Sequence, residues 1–65
     1  MKTVYIISRK INNAESFYTG KGWSDLKIKS HEFITPMEVT TKLEAIIKNP
    51  AESDKYYEIL TCYKR

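Results

Sequence analysis

The amino-acid sequence predicts a small α+β domain of ββ(β)αβ order, with an antiparallel or mixed sheet and one helix packed on one face. Three observations predict it. Residues 3–9 and 56–63, near the two ends, are dense in β-branched and aromatic side chains. Between them, Thr35-Pro36-Met37-Glu38 opens an apolar stripe of helical period. Both glycines and the only tryptophan fall inside Phe17-Tyr18-Thr19-Gly20-Lys21-Gly22-Trp23-Ser24-Asp25, a turn that leads from the first strands toward the helix.

Taken in order, Thr-Val-Tyr-Ile-Ile-Ser-Arg at 3–9 reads as a strand that is apolar on both faces, with Val4 and Ile6 on one and Tyr5 and Ile7 on the other. That pattern suits a central, doubly covered strand. Residues 11–15 interrupt it, and Asn12-Asn13 tolerates the left-handed backbone of a hairpin loop. The expectation is a loop of about five residues, with residues 16–19 returning as the second strand. Leu26 and Ile28 alternate with Lys27 and Lys29, as in a short extended piece with its lysines outward, and residues 31–34 are a candidate third strand.

Thr35 is placed to cap a helix, Pro36 suits its first position, and Glu38 completes a capping box. Val39, Leu43, Ile46 and Ile47 follow at i, i+4, i+7 and i+8 as the face turned to the sheet, and Glu38–Lys42 and Glu44–Lys48 pair on the outside. Asn49-Pro50 ends the helix, residues 51–55 are a polar link, and residues 56–63 form the last strand, beside the first.

In the glycine-rich turn, two accounts stand side by side. In one, Gly20 and Gly22 allow a tight reversal and Trp23 is a lid on the end of the sheet. In the other, Gly-Lys-Gly presents backbone N–H groups and an ammonium to an anion, with Trp23 as a stacking plate. The spacing matches neither a phosphate-binding loop nor a dinucleotide fingerprint.

Length and composition narrow the function. A chain of 65 residues makes a single domain, residues 1–65, that buries only about 60% of its unfolded surface. One cysteine, Cys62, excludes an internal disulfide. Only five mostly apolar residues follow Lys2 before Ser8-Arg9, so neither a signal peptide nor a membrane span is expected, and the reading is a cytoplasmic protein. The net charge is +3, and the excess lies early: Lys2, Arg9, Lys10, Lys21, Lys27 and Lys29 precede Glu32, against Glu15 and Asp25 alone.

Nothing in the sequence marks an active site. His31 has no second histidine or cysteine at metal-ligand spacing, and no third group marks His31 and Cys62 as a base–nucleophile pair. No enzyme activity, metal or cofactor is therefore expected. Five tyrosines, two phenylalanines and one tryptophan exceed what one helix can cover. The expected interaction surface is a free sheet face plus the turn, with Arg9, Lys10, Tyr18, Lys21, Trp23 and Lys27 as the partner-binding residues. A protein partner is the first reading, nucleic acid or a nucleotide the second. A homodimer burying the aromatic face is the third.

The opening Val-Tyr-Ile-Ile, followed by Phe-Tyr-Thr-Gly-Lys-Gly-Trp, resembles small proteins of phages and low-GC bacteria that share a strand, a tyrosine-rich second strand, this turn and a downstream helix. The likeness covers residues 3–48. It implies a phage-type context, in which such short frames often encode inhibitors of host enzymes or of antiviral defence, including proteins that sequester nucleotide signals. On that basis the chain is expected to bind and block a host protein in the host cytoplasm.

Overall fold

The computed structural model describes residues 2–64. Strands β1 (Lys2–Ile11), β2 (Ala14–Tyr18), β3 (Trp23–Ser24) and β4 (Tyr56–Lys64) form one antiparallel sheet in the order β3-β2-β1-β4, and helix α1 (Pro36–Ile47) connects the first three strands to the last. This is the expected α+β arrangement. β1 lies between β2 and β4, as its two apolar faces require, and Val4, Ile6 and Ile7 are all buried.

The hairpin is tighter than the residues suggest. Asn12 and Asn13 have φ of 50° and 70°, the left-handed pair of a two-residue turn whose twist matches that of the strands. Ala14 and Glu15 therefore belong to β2, opposite Ile11 and Lys10, and the loop of about five residues is corrected to two. Glu15 gains a partner there, because the buried Ser8 hydroxyl donates to its Oε2 at 2.6 Å.

Two other elements shift. The third strand is Trp23–Ser24 and not residues 31–34. Of that segment, the His31 N–H donates to the Tyr18 carbonyl at 2.7 Å and Phe33 bridges β1 in reciprocal 2.8 Å bonds with Tyr5. Phe33 occupies the side of β1 that β2 leaves open. Residues 27–29, expected to be extended, form a 3₁₀ turn that packs back toward β2.

α1 starts as its residues dictate. The Thr35 hydroxyl accepts from the Glu38 N–H at 3.1 Å and Pro36 opens the first turn. Val39 is buried, and Leu43 and Ile46 are half-buried against the core of Ile7 and Phe33. Ile47 lies at the end of the stripe and is exposed, so it drops out of the packed face.

The distribution of aromatics is also corrected. Tyr5, Tyr18, Trp23 and Tyr57 pack on the helix side of the sheet, around Ile7, Phe33 and Val39. The reverse face carries Val4, Ile6, Ser8 and Phe17, all buried. Of the tyrosines expected on a free face, only Tyr56 and Tyr63 are exposed.

Candidate interaction surface

The turn after β2 is closed by its own threonine. Thr19 Oγ1 accepts from the N–H groups of Gly22, at 3.1 Å, and Lys21, at 3.4 Å, while the Thr19 N–H donates to the Gly22 carbonyl at 2.9 Å. The amides of Lys21 and Gly22 are thus engaged within the loop, and the anion-cradle account loses these donors.

The two glycines differ. Gly20 has φ +96°, and a Cβ there would stand 3.3 Å from His31 Nδ1, whereas a Cβ on Gly22 meets nothing within 4 Å. Gly20→Ala is expected to cost at least about 1 kcal/mol in a urea denaturation and Gly22→Ala less than about half of that. Equal costs would show that the turn is not held in this form.

Trp23 does not stand free. The Arg9 guanidinium lies 4.1 Å from the centre of its ring, Tyr57 tilts against it at 5.9 Å and Tyr18 meets it edge-on at 5.6 Å. All four strands deliver these residues to the same end of the helix-side face, since Arg9 is opposite both Ser16 and Tyr57, and Trp23 is opposite Tyr18. The link after α1 completes the cluster. Arg9 Nη1 donates to both carboxylate oxygens of Glu52, at 2.6 and 2.8 Å, and the Tyr57 hydroxyl donates to the Glu52 carbonyl at 2.9 Å. The Arg9 and Glu52 side chains are only 13% and 17% exposed, so solvent screens this pair weakly. Arg9 Nε is buried without a hydrogen-bond partner among the described residues, which adds to the cost of disturbing the group.

Burial pushes the Tyr57 hydroxyl above its usual pKa of 10.0, helped by its hydrogen bond to Glu52 and by the Glu52 charge. The unfolded chain releases this proton first, so the native state holds more protons above about pH 10 and stability falls as pH rises. Below that pH the contribution is fully present. The urea midpoint is expected to drop more between about pH 8 and about pH 11 in the wild type than in Tyr57→Phe. An equal drop would contradict the shift.

The expected binding residues therefore divide. Arg9, Tyr18 and Trp23 are brought together, half-buried and packed on one another. Lys10, Lys21 and Lys27 are exposed in three separate places: beside the hairpin turn, in the glycine turn and in the 3₁₀ turn on the reverse face. Arg9 and Trp23, on strands that β2 separates, are in contact, because β3 folds Trp23 back beside Tyr18.

What does form a surface lies next to the turn and was missed in the sequence. His31 meets Phe33 at 4.6 Å between ring centres and Tyr18 at 6.4 Å. From His31 an open groove of about 640 Å³ runs along α1, lined by Phe33, Met37, Thr41, Lys42 and Ala45 among others, mostly apolar. Met37 is 78% exposed, and Ile34 before it is also exposed. The signal was present as a second stripe, Met37, Thr41 and Ala45 at i, i+4 and i+8, flanking the one that packs on the sheet.

Among the described residues no group of three His, Cys, Asp or Glu side chains could hold a metal, and no helix is long and apolar enough to cross a membrane. No protein-family model, curated protein or solved structure matches this chain.

Proposed function

We propose that the protein is a non-catalytic binding module that engages another protein through the groove between α1 and the His31–Phe33 segment. The observation that carries this reading is the groove itself. It is apolar and open, Met37 stands exposed along it, and Glu38 and Lys42 lie among its lining residues. Protein interfaces are built in this way, with an apolar centre and a polar rim, and methionine is enriched in them. The glycine turn contributes by position: Gly20 abuts His31, and Tyr18 packs against both His31 and Phe33. Lys21 supplies a charge on that side.

The resemblance to small phage and low-GC bacterial proteins supports a blocking role, in which occupancy of the groove holds a host protein inactive. A nucleic-acid partner has less support. The ring that would stack on bases has Arg9 over it, and the exposed lysines are dispersed.

The test is capture of a partner from a host lysate by the tagged chain, followed by binding measurements with that partner purified. Met37→Glu and Ala45→Glu sit on exposed helix positions and should keep the fold. Each is expected to weaken binding by tenfold or more, on the order of 1.4 kcal/mol, with little dependence on salt. Unchanged affinity in both folded variants would remove the groove from the interface. A steep loss of affinity with salt would place a nucleic acid there instead.

A further inference from the structure

The two edges of the sheet are unlike. At one, β3 has two residues, too short to offer a template for pairing. At the other, β4 runs nine residues, Tyr-Tyr-Glu-Ile-Leu-Thr-Cys-Tyr-Lys, with no proline. It stays in unbroken register with β1 from Lys10↔Tyr56 to Lys2↔Lys64, so no bulge twists it away. Of the usual devices that blunt an edge strand, only two charged side chains, Glu58 and the terminal Lys64, are present.

The direction of its free groups follows from the ladder. Tyr5 gives its N–H and C=O to Phe33, on the far side of β1. The pair Tyr5↔Thr61 is therefore one of the non-hydrogen-bonded pairs between β1 and β4. Thr61 consequently points its own N–H and C=O outward, and so do Tyr57, Ile59 and Tyr63 in alternation with it.

We propose that this edge pairs with β4 of a second copy, antiparallel, with Thr61 facing Thr61 on the two-fold axis. The strand is complementary to itself in that alignment. Glu58 falls opposite Lys64, Ile59 opposite Tyr63 and Leu60 opposite Cys62, so that acid meets base and apolar meets apolar on both faces. Glu58 makes no ion pair within its own chain among the described residues. Lys64, already paired with Glu32, would sit between two carboxylates. Ile59, Leu60 and Cys62 are only half-buried and Tyr63 is exposed, so the pairing gives these side chains cover that the single chain lacks. The occupant is a second copy because this symmetry is a property of the strand paired with itself. The result is one continuous sheet with both helices, and both grooves, on the same face.

The test is sedimentation equilibrium across a dilution series, with reductant present so that a Cys62 disulfide is not counted. The wild type is expected to be a reversible dimer. Thr61→Pro removes an outward N–H and leaves the β1 ladder intact, so it is expected to give a folded monomer. Glu58→Lys sets like charges opposite each other twice and is expected to raise the dimer dissociation constant about tenfold. Adding Lys64→Glu together with Glu32→Lys restores opposite charges at both contacts of position 64 and should recover most of the affinity. A wild type that is monomeric throughout, a folded Thr61→Pro variant that still dimerises, or a charge-reversed set without recovery would each overturn the proposal.

Discussion

Ile7→Ala is expected to cost about 2–5 kcal/mol and to bring the chain toward its folding midpoint at room temperature. Ile7 is 0% exposed at the centre of the sheet, beneath Phe33 and Val39. The reverse side of β1 is filled by Val4, Ile6 and Phe17, so the neighbours have little freedom to close the cavity. A domain of this size holds on the order of 5 kcal/mol in all, so a single core methylene group matters and a truncated isoleucine removes most of the margin. The urea midpoint, followed through Trp23 fluorescence at fixed protein concentration, reads the loss. Leu43→Ala, at a half-buried position on α1, belongs at the low end of the same range. A loss below about 1 kcal/mol for Ile7→Ala would mean that the two faces of β1 do not pack as described.

The second large effect is expected from Glu52. Removing its carboxylate by Glu52→Ala leaves the Arg9 guanidinium largely buried, with its Nη1 bonds lost and its Nε already without a partner among the described residues. Breaking a buried pair in this way costs about 3–5 kcal/mol, and the residual exposure of the two side chains places this one nearer 2–3 kcal/mol. Replacing both members, as Arg9→Met with Glu52→Met, removes the uncompensated charge and is expected to recover much of the loss. Stability measured for the single and double variants distinguishes this from a surface pair, which would cost less than about 1 kcal/mol in either form. The cluster joins residues 43 positions apart and ties the link after α1 to the sheet, so its loss should also free residues 48–55.

How much of this was legible varied with the range of the interaction. The helix start was written locally: the Thr35 hydroxyl caps the Glu38 N–H and Pro36 opens the first turn as expected. The return bond to the Glu38 carboxylate that would complete the capping box is not made among the described residues. The central strand was legible because Val4, Ile6 and Ile7 leave no face for water. The hairpin was misjudged by residue type. Ala14 and Glu15 have low strand preference, yet they pair because two consecutive asparagines accept positive φ and shorten the loop. The place of Trp23 could not be read from spacing. It depends on a two-residue strand and on a carboxylate from the far side of the helix. The groove escaped for a related reason: a helix stripe of Met37, Thr41 and Ala45 signals a surface only once it is known which neighbouring stripe faces the sheet.

The most distinctive stretch of the sequence, from Phe17 to Trp23, is on this account a structural element, and the recognition surface lies beside it. The measurement that tests this most directly is a double-mutant cycle on Arg9 and Trp23, with Arg9→Ala, Trp23→Ala and the double variant unfolded by urea and followed by circular dichroism. Stacking of the guanidinium on the ring predicts that Trp23→Ala alone costs about 3 kcal/mol or more. It also predicts a coupling of about 1 kcal/mol between the two sites. A fold that tolerates Trp23→Ala without loss, and effects that simply add, would show that the tryptophan is free for a partner.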